Sequence, residues 1–410
     1  MINVTRHVLD NGLRVVVNHD PGVSMAAVNI LYNTGARDES RTLTGVAHLF
    51  EHLMFGGSVN VPDFDLELSD AGGTSNAWTS NDFTNFYDVL PAVNIETALH
   101  IESDRMLALA FDPHSLEVQR QVVIEEFKQQ CLNTPYGDLM HHLRAAVYSP
   151  NHPYSVPVIG LTPDHIAAVT DEDIRRIFYS HYAPNNAVLA ISGNIEPDRA
   201  IALVEKWFGD IPRREIAPRN LPDPGFPLSR IDITAHGNAP VPSLVIAIPM
   251  DPYGTHNYFV ADCITDILSA GTCSRIYRDM GAGGDGSVVD ADASILGSEH
   301  PGVLLMSARL RDPVDSDRVA RQLLSHIEAL AGDEPVTAHE LERTLNRFES
   351  TFALDNLDIS SRAFNITLAE MHGEDINATV PRQRSITADD IASTASILAT
   401  TAPVVLRYVR

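Results

Sequence analysis

A short pattern near residue 170 recurs near residue 387, and this repetition constrains the fold more than any other feature of the sequence. Thr170-Asp-Glu-Asp-Ile174 and Thr387-Ala-Asp-Asp-Ile391 are separated by 217 residues. After each of them comes a helical pattern, and then an Ala-Pro pair that leads into an apolar strand pattern, at Ala183-Pro184 and at Ala402-Pro403. Each copy lies at the end of one half of the chain, where a duplication would place it. The repetition predicts two homologous α+β domains of about 200 residues each.

The chain length is consistent with this division. A chain of 410 residues is too long for one ordinary hydrophobic core. Between residues 212 and 227 the sequence is polar and rich in proline, which is typical of a linker. We therefore predict an N-terminal domain over residues 1–212, a linker over 213–229 and a C-terminal domain over 230–410.

Composition excludes several classes of protein. The formal net charge of −25 disfavours nucleic-acid binding, because a phosphate backbone requires a basic surface. The apolar stretches are too short and interrupted to predict a membrane-spanning helix. The first residues read directly into a strand and lack the features of a secretory signal. These features predict a cytoplasmic protein, or a periplasmic one if a leader was removed before residue 1.

A His-x-x-Glu-His pattern lies in a predicted helix from Ala47 to Phe55. His48 and His52 are four residues apart, so their imidazoles lie on one helical face and can bind one metal ion. Glu51 can reach a water molecule at the open metal position without being a ligand itself. The rest of the helix is apolar, so buried histidines on it need a reason. The pattern is an inverted form of a zinc-peptidase motif and predicts metal-assisted hydrolysis.

A catalytic zinc ion requires a third protein ligand. The predicted helix from Leu116 to Leu132 carries two adjacent carboxylates, Glu125 and Glu126. Adjacent helical residues point about 100° apart, so the two cannot both face one site. The physics of the sequence leaves the choice between them open.

Taken together, these segments resemble the pitrilysin superfamily, which includes insulin-degrading enzyme and the mitochondrial processing peptidases. The likeness is closest to the bacterial members with a chain of about this length. The resemblance rests on the His48 to His52 motif, on Val-Val-Ile-Glu-Glu some seventy residues later, and on further segments along nearly the whole chain. These segments are Leu9-Asp-Asn-Gly-Leu-Arg14, residues 35–39, residues 72–77, residues 182–187, Ser192-Gly-Asn-Ile195 and Ser274-Arg-Ile-Tyr277.

The resemblance implies a zinc metalloendopeptidase with one Zn²⁺ per chain. Its motif makes Glu126 the third metal ligand beside His48 and His52, and makes Glu51 the general base. It also implies two domains, each a mixed and largely antiparallel sheet covered by helices, that face each other around a closable chamber. Substrates would be peptides or unfolded segments.

The resemblance further implies that an extended substrate adds to an exposed sheet edge. The segment from Gly72 to Thr79 matches the part of the family that carries this edge. Asn76, Ala77 and Trp78 are therefore predicted to lie along the substrate.

The chain departs from the family in two ways. Many relatives have a glutamate seven residues before the third ligand, where this chain has Gln119, which puts the tuning of the metal surroundings in doubt. Active members also use an Arg and a Tyr, close in sequence in the second domain, to hold the substrate carbonyl. After Arg278 this chain has no tyrosine until Tyr408.

The missing pair leads to a hypothesis about partners. We predict the metal-bearing subunit of a two-chain enzyme, a heterodimer in which a homologous partner supplies the Arg-Tyr pair. Arg275, Tyr277 and Arg278 are possible substitutes within this chain. Two alternatives stay open, namely a self-sufficient peptidase that acts as a homodimer or monomer, and a non-catalytic assembly relative.

Overall fold

The computed structural model describes residues 1–297, 299–311 and 315–410. These residues divide into two compact units. The first unit contains Met1–Phe127, Pro157–Asn220 and Thr351–Thr379, and the second contains Lys128–Val156, Leu221–Ser350 and Val380–Arg410. Each unit is built around one β-sheet, and each is described by itself below.

The described residues contain eleven strands and fifteen α-helices. The strands are β1 (Thr5–Val8), β2 (Arg14–His19), β3 (Met25–Tyr32), β4 (Thr74–Thr79), β5 (Thr84–Pro91), β6 (Ala187–Gly193), β7 (Ile231–His236), β8 (Ser243–Met250), β9 (Val288–Leu296), β10 (Gly302–Leu310) and β11 (Val404–Val409). The helices are α1 (Val46–Leu53), α2 (Phe64–Asp70), α3 (Ile95–Leu107), α4 (Pro113–Phe127), α5 (Leu139–Val147), α6 (Pro163–Ala167), α7 (Asp171–His181), α8 (Pro197–Phe208), α9 (His256–Ser269), α10 (Arg275–Met280), α11 (Ser316–Ala331), α12 (Ala338–Asp355), α13 (Ile359–Met371), α14 (Thr379–Arg384) and α15 (Ala388–Thr400).

The sheet of the first unit has the strand order β1-β2-β6-β3-β5-β4. Strands β2 and β6 are parallel, and the other neighbours are antiparallel. All seven residues of β6 are buried, because it lies between two strands and is covered on both faces. At the opposite end of the order, β4 is an edge strand that pairs with β5 alone among the described strands.

The sheet of the second unit repeats this plan. Its order is β7-β11-β8-β10-β9, with β7 and β11 parallel and the remaining pairs antiparallel. It therefore matches the order β2-β6-β3-β5-β4 strand for strand. The predicted α+β class, with two mixed and largely antiparallel sheets covered by helices, is confirmed.

The sheet of the first unit has a core on both faces. On one face, the apolar side of α1 packs with α3, α4, α7 and α8 against residues such as Val28 and Ile30 of β3. On the other face, Ile359, Ala363 and Ile366 of α13 pack against Val16 of β2 and Ala27 of β3. In the second unit, α9, α11 and α15 cover one face of the sheet and α5 contributes to the core on the other face.

The compact units differ from the continuous halves of the sequence. Residues 128–156 lie in the predicted N-terminal domain but pack in the second unit, whereas residues 351–379 lie in the predicted C-terminal domain but pack in the first. The compact units therefore differ from the ranges 1–212 and 230–410 by these two segments. Hydrophobic periodicity identifies the helices in both segments, but it does not say which sheet they cover. As a division of the sequence into two duplicated halves, the predicted boundaries remain a prediction.

The predicted linker contains no regular element between α8 and β7, yet its first part is held firmly on the first unit. Arg214 donates hydrogen bonds to the carbonyl oxygens of Phe178 and Tyr182, at 3.0 and 2.6 Å. Arg219 forms an ion pair with Asp38 at 2.6 Å. None of the described helices combines the length and the apolar character needed to cross a bilayer.

Candidate metal centre

Helix α1 is set in place by a tight turn at its N-terminus. Gly45 precedes the helix with φ of +83°, a conformation that favours glycine, and a Cβ there would approach Ile166 Cδ1 to 2.6 Å. The carboxylate of Glu39 accepts hydrogen bonds from the backbone N–H groups of Gly45 and Ala47, at 2.9 and 2.7 Å. Glu39 therefore satisfies N–H groups that a helix start leaves unpaired, and burial raises the pKa of its carboxyl to about 8.

The two histidines of the motif face the same point. The Nε2 atoms of His48 and His52 are 3.3 Å apart, and their ring planes are inclined at 83°. The neighbouring apolar residues of α1, including Leu49 and Phe50, are buried in the core of the first unit. Burial of its apolar side thus fixes the helix so that both imidazoles project from the other side.

The third side chain comes from α4, which packs against α1. Glu126 Oε2 lies 3.6 Å from His48 Nε2 and 3.5 Å from His52 Nε2. Its neighbour Glu125 is exposed and does not belong to this group. The structure therefore favours Glu126 over Glu125, the choice that sequence physics leaves open and that the family resemblance makes.

The three side chains fit a zinc ion. Four ligands at the usual bond lengths of about 2.0–2.2 Å around tetrahedral zinc are separated by about 3.3–3.6 Å. The three measured separations are 3.3, 3.5 and 3.6 Å, and all the ligand atoms lie within 4.8 Å of one another. Three protein ligands leave a fourth position open, which is typical of catalytic rather than structural zinc sites.

The protonation of the site suits this reading. Burial, together with the neighbouring His52, lowers the pKa of His48 to about 4. At neutral pH its ring is therefore neutral and has a lone pair for a metal ion. Burial also raises the pKa of Glu51 above its ordinary value; the hydrogen bond from Thr79 opposes this shift and the Glu126 carboxylate adds to it. A raised pKa makes a carboxylate a better proton acceptor near neutral pH.

Glu51 is held by the edge strand of the sheet. Thr79, the last residue of β4, donates a hydrogen bond from Oγ1 to Glu51 Oε2 at 2.5 Å. Glu51 is absent from the group of converging ligand atoms, as the motif predicts. The sequence predicts Thr79 as part of the substrate segment but does not predict this contact. The alternation of side chains along β4 was the available signal, because it puts Thr79 on the same face as Ala77, whose side chain packs against the core that contains α1.

The other predicted residues of the first unit lie close to this arrangement. Gln119 is on α4, two helical turns before Glu126 and therefore on the same side of that helix. Asn76, Ala77 and Trp78 are in β4, whose outer edge has no strand partner among the described residues. The Asn76 side chain turns back along the strand, and its Oδ1 accepts a hydrogen bond from the N–H of Ala77 at 2.8 Å.

Arg275, Tyr277 and Arg278 lie on α10 in the second unit. The guanidinium of Arg275 is buried, donates to both carboxylate oxygens of Glu340 at 3.1 Å, and also bonds the carbonyl oxygens of Glu334 and Pro335. Arg275 is thus engaged in holding its own unit together. Arg278 and Tyr277 are more exposed, at 54% of the Arg278 side chain and 37% of Tyr277. A substrate-binding role for these three residues remains a prediction.

The fold and the metal centre together define an α+β protein of the metallopeptidase type. Two models of one peptidase family match the chain in succession: "Insulinase (Peptidase family M16)" matches residues 14–158, and "Peptidase M16 inactive domain" matches residues 168–348. The chain belongs to peptidase family M16. His48, Glu51, His52 and Glu126 all fall within the first match, and α10 falls within the second.

Individual relatives agree with this assignment. The chain is 26% identical over 279 residues to an uncharacterized zinc protease of Bacillus subtilis, a match that covers 68% of this chain and 66% of that protein. It is 28% identical over 260 residues to the beta subunit of the mitochondrial-processing peptidase of Saccharomyces cerevisiae, which covers 62% of this chain and 55% of the subunit. Both matches span less than two thirds of the relative's own length.

A solved structure supports the fold over the whole chain. The crystal structure of a protease from Helicobacter pylori superimposes with a TM-score of 0.89 and covers 99% of both chains, at 21% identity. At this identity the likeness concerns the fold.

Proposed function

We propose that this chain is a zinc-dependent endopeptidase that hydrolyses peptides or unfolded segments, and that it is the metal-bearing subunit of a two-chain enzyme. The observation that carries the proposal is that three side chains converge as metal ligands while a fourth, a carboxylate, lies beside them without joining the group. His48, His52 and Glu126 converge at the separations of zinc ligands, while Glu51 lies beside them in a hydrogen bond to the edge strand. A structural zinc site has no use for such a carboxylate.

The protein's own residues provide the acid-base chemistry. His48, His52 and Glu126 would hold one Zn²⁺, which supplies the Lewis acidity that makes water nucleophilic near neutral pH and polarises a carbonyl. Glu51 accepts a proton from the attacking water as the new C–O bond forms. It then delivers this proton to the departing amine as the C–N bond breaks. Thr79 keeps the Glu51 carboxylate in one orientation throughout.

Substrate binding is assigned to the edge of β4. The outer N–H and C=O groups of this strand have no strand partner among the described residues, so an extended peptide can add there as a further strand. The hydrogen bond between the Asn76 side chain and the N–H of Ala77 occupies one of these edge groups. An arriving peptide carbonyl would displace the Asn76 side chain.

The two-chain arrangement is supported by the residues of the C-terminal half. Tyr408, the first tyrosine after Arg278 in the sequence, is buried, and its hydroxyl donates to Asp138 within the second unit. Arg275 forms a buried ion pair with Glu340. Neither group is free to bind a substrate carbonyl, and the more exposed Tyr277 and Arg278 are the candidates left within this chain. We propose that a homologous partner chain supplies the Arg-Tyr pair instead. The yeast relative is itself named as a subunit.

The first experiment is hydrolysis of a mixed peptide library by the purified, zinc-loaded chain, first alone and then with an added homologous subunit that carries an Arg-Tyr pair. Glu51→Gln serves as the matched blank, because it keeps the size and hydrogen-bonding capacity of the side chain and removes its basicity. We expect Glu51→Gln to retain zinc and to have no turnover. Products that form equally in the blank would contradict the proposed peptidase.

The same assay separates the two-chain enzyme from a self-sufficient one. Zinc binding without cleavage by the chain alone, followed by cleavage once a homologous subunit with an Arg-Tyr pair is added, is the expected result. Cleavage by the chain alone, with an elution volume of a monomer or homodimer, would contradict the two-chain arrangement and leave the endopeptidase proposal intact.

A further inference from the structure

A cavity of about 170 Å³ lies within the first unit, next to the edge strand but on the face of the sheet away from the metal centre. Side chains alternate between the faces of a strand, so Trp78 and Thr79 of β4 point to opposite sides. Thr79 contacts Glu51 on the metal side, and Trp78 contacts Phe364 of α13 on the other side. The cavity is lined by Trp78, Asn85, Tyr87, Ser360, Ser361 and Phe364.

Two features make this cavity a preformed site. Trp78 and Phe364 meet edge to face, with ring centroids 5.3 Å apart and planes inclined at 83°, which is a favoured aromatic geometry. Asn85 is buried and exchanges hydrogen bonds with the side chain of Asn29, at 2.8 and 3.1 Å. Asn29 in turn donates to Thr367 of α13 at 2.8 Å. Defined contacts therefore hold both the aromatic side of the cavity, formed by Trp78 and Phe364, and its polar side at Asn85.

The lining of the cavity favours a neutral occupant. None of its six residues carries a charge, so a charged side chain would lose hydration there without an ionic partner among the lining residues. The cavity adjoins the first turn of α13, where N–H groups would attract an anion. However, the Asp358 carboxylate already accepts hydrogen bonds from the N–H of Ser361, at 2.8 Å, and from the hydroxyl of Ser360. That negative charge disfavours an anionic occupant.

The position of the cavity relates it to a peptide at the edge of β4. If a peptide adds to β4 as a strand, successive side chains point alternately to the metal face and to the face that carries Trp78. Side chains of neighbouring strands on one face lie about 4.5–5.5 Å apart. Every second peptide side chain thus points to the face that carries Trp78, and the one directly opposite Trp78 lies beside the cavity.

We propose that this cavity is a specificity site that takes one aromatic side chain of the bound peptide, from a residue that points away from the metal face. The proposal rests on the peptidase function inferred above and adds a substrate preference to it. The size supports an aromatic ring, because an apolar cavity of about 150 Å³ is known to accept benzene. Trp78, Tyr87 and Phe364 would contact the ring.

The test uses a fluorescence signal from the site itself. The chain contains two tryptophans, Trp78 and Trp207. In the double variant Glu51→Gln, Trp207→Phe, Trp78 is the sole tryptophan and peptides are bound without turnover. We would titrate this variant with alanine-rich decapeptides that carry one Phe, one Lys or only Ala at a central position. The Phe peptide should shift the Trp78 emission and bind at least about tenfold more tightly than the other two.

Filling the cavity provides the matched variant. Ser361→Phe places a ring inside it, whereas Ser350→Phe makes the same change at an exposed position of α12. Ser361→Phe should reduce the affinity for the Phe peptide to that for the Ala peptide, and Ser350→Phe should preserve the difference. If Ser361→Phe does not fold, Phe364→Ala, which removes one wall, should reduce the same ratio.

The outcomes for the site and for the peptidase are distinguishable. Equal affinity for the Phe and Ala peptides, or a Lys peptide as tight as the Phe peptide, would overturn the aromatic site even if the zinc-loaded wild-type chain cleaves both. A tenfold preference read from Trp78, without cleavage in the presence or absence of a partner subunit, would uphold the binding site and overturn the proposed peptidase.

Discussion

Thr79 Oγ1 donates a hydrogen bond to Glu51 Oε2 at 2.5 Å, and this contact joins the proposed general base to the strand proposed to bind the substrate. Thr79 ends β4, and Glu51 lies between the two histidines on α1. One side-chain pair therefore sets the position of the base relative to the edge where the peptide backbone would lie. Proton transfer depends on such positioning, because a base acts only within hydrogen-bond reach.

The first prediction concerns this pair. Thr79→Val removes the hydroxyl and keeps the shape, so Glu51 loses its fixed orientation and kcat should fall about threefold to tenfold, the range of one hydrogen bond. Zinc content should stay at the wild-type value, and Thr79→Ser should restore most of the rate. Metal analysis of the three proteins, and peptide hydrolysis by each of them with the partner subunit added, provide the check. An unchanged kcat in Thr79→Val would show that the contact has no part in catalysis.

A second prediction concerns Glu39, which bonds the first N–H groups of α1. Glu39→Ala leaves these groups without their acceptor and should lower the free energy of unfolding by about 1 kcal/mol, as the loss of a helix cap does. Because α1 carries two of the metal ligands, zinc affinity should fall as well, and Glu39→Gln should have the milder effect. Thermal unfolding and competition with a chelator measure the two quantities. Wild-type zinc affinity in Glu39→Ala would mean that the helix start does not control the site.

The third prediction separates structure from substrate binding on α10. Arg275→Ala removes the closest cationic partner of the buried Glu340 carboxylate and should destabilise the second unit by about 3 kcal/mol. Arg278→Ala is the matched control, since this side chain is 54% exposed and 3.5 Å from the same carboxylate, and it should change stability by less than about 0.5 kcal/mol. Denaturant unfolding gives both values. A stable Arg275→Ala protein with a raised KM alone would instead indicate a substrate contact.

A fourth prediction concerns the pH dependence of stability. Asp88 is fully buried in β5, and burial, with the nearby Glu102 charge, raises its pKa well above the ordinary value. The folded protein then holds a proton that the unfolded chain releases above about pH 4, so this group makes the protein less stable as pH rises toward the folded-state pKa. Asp88→Asn cannot release that proton. The Tm of Asp88→Asn relative to wild type should therefore increase between pH 5 and pH 8.

A constant difference between the Tm values of Asp88→Asn and wild type over this range would contradict the raised pKa. The absolute stability of the variant is not diagnostic, because an amide also changes the hydrogen bonding around Glu102 and Arg105. The slope with pH is the quantity that reports the proton.

Local patterns in the sequence predict the elements of the site well. The apolar periodicity around the motif predicts a helix from Ala47 to Phe55, and the structure has α1 at Val46–Leu53. The prediction for α4 is less accurate. Its apolar pattern continues to Leu132, whereas the α-helix ends at Phe127 and a π-helical segment, Lys128–Asn133, follows. The spacing of apolar residues is too similar in the two helix types to mark the change.

Contacts between distant segments are what the sequence does not reveal. The bond between Thr79 and Glu51 depends on how β4 lies beside α1, and no local pattern specifies that placement. The packing of α13 on the sheet of the first unit is a stronger case. This helix lies in the C-terminal half of the sequence, directly after α12. Nevertheless it packs in the first unit and supplies Phe364 to the cavity beside Trp78. Its apolar stripe predicts burial but not the surface that buries it.

The most direct test of the central claim is the zinc content of four proteins purified and dialysed together: wild type, Glu51→Gln, Glu125→Gln and Glu126→Gln. With His48, His52 and Glu126 as the ligands, wild type, Glu51→Gln and Glu125→Gln should each retain about one zinc per chain, and Glu126→Gln should lose it. The adjacent glutamates differ by one position on the same helix, so Glu125→Gln controls for the change of charge. Loss of zinc in Glu51→Gln or Glu125→Gln, or full retention in Glu126→Gln, would contradict the proposed metal centre.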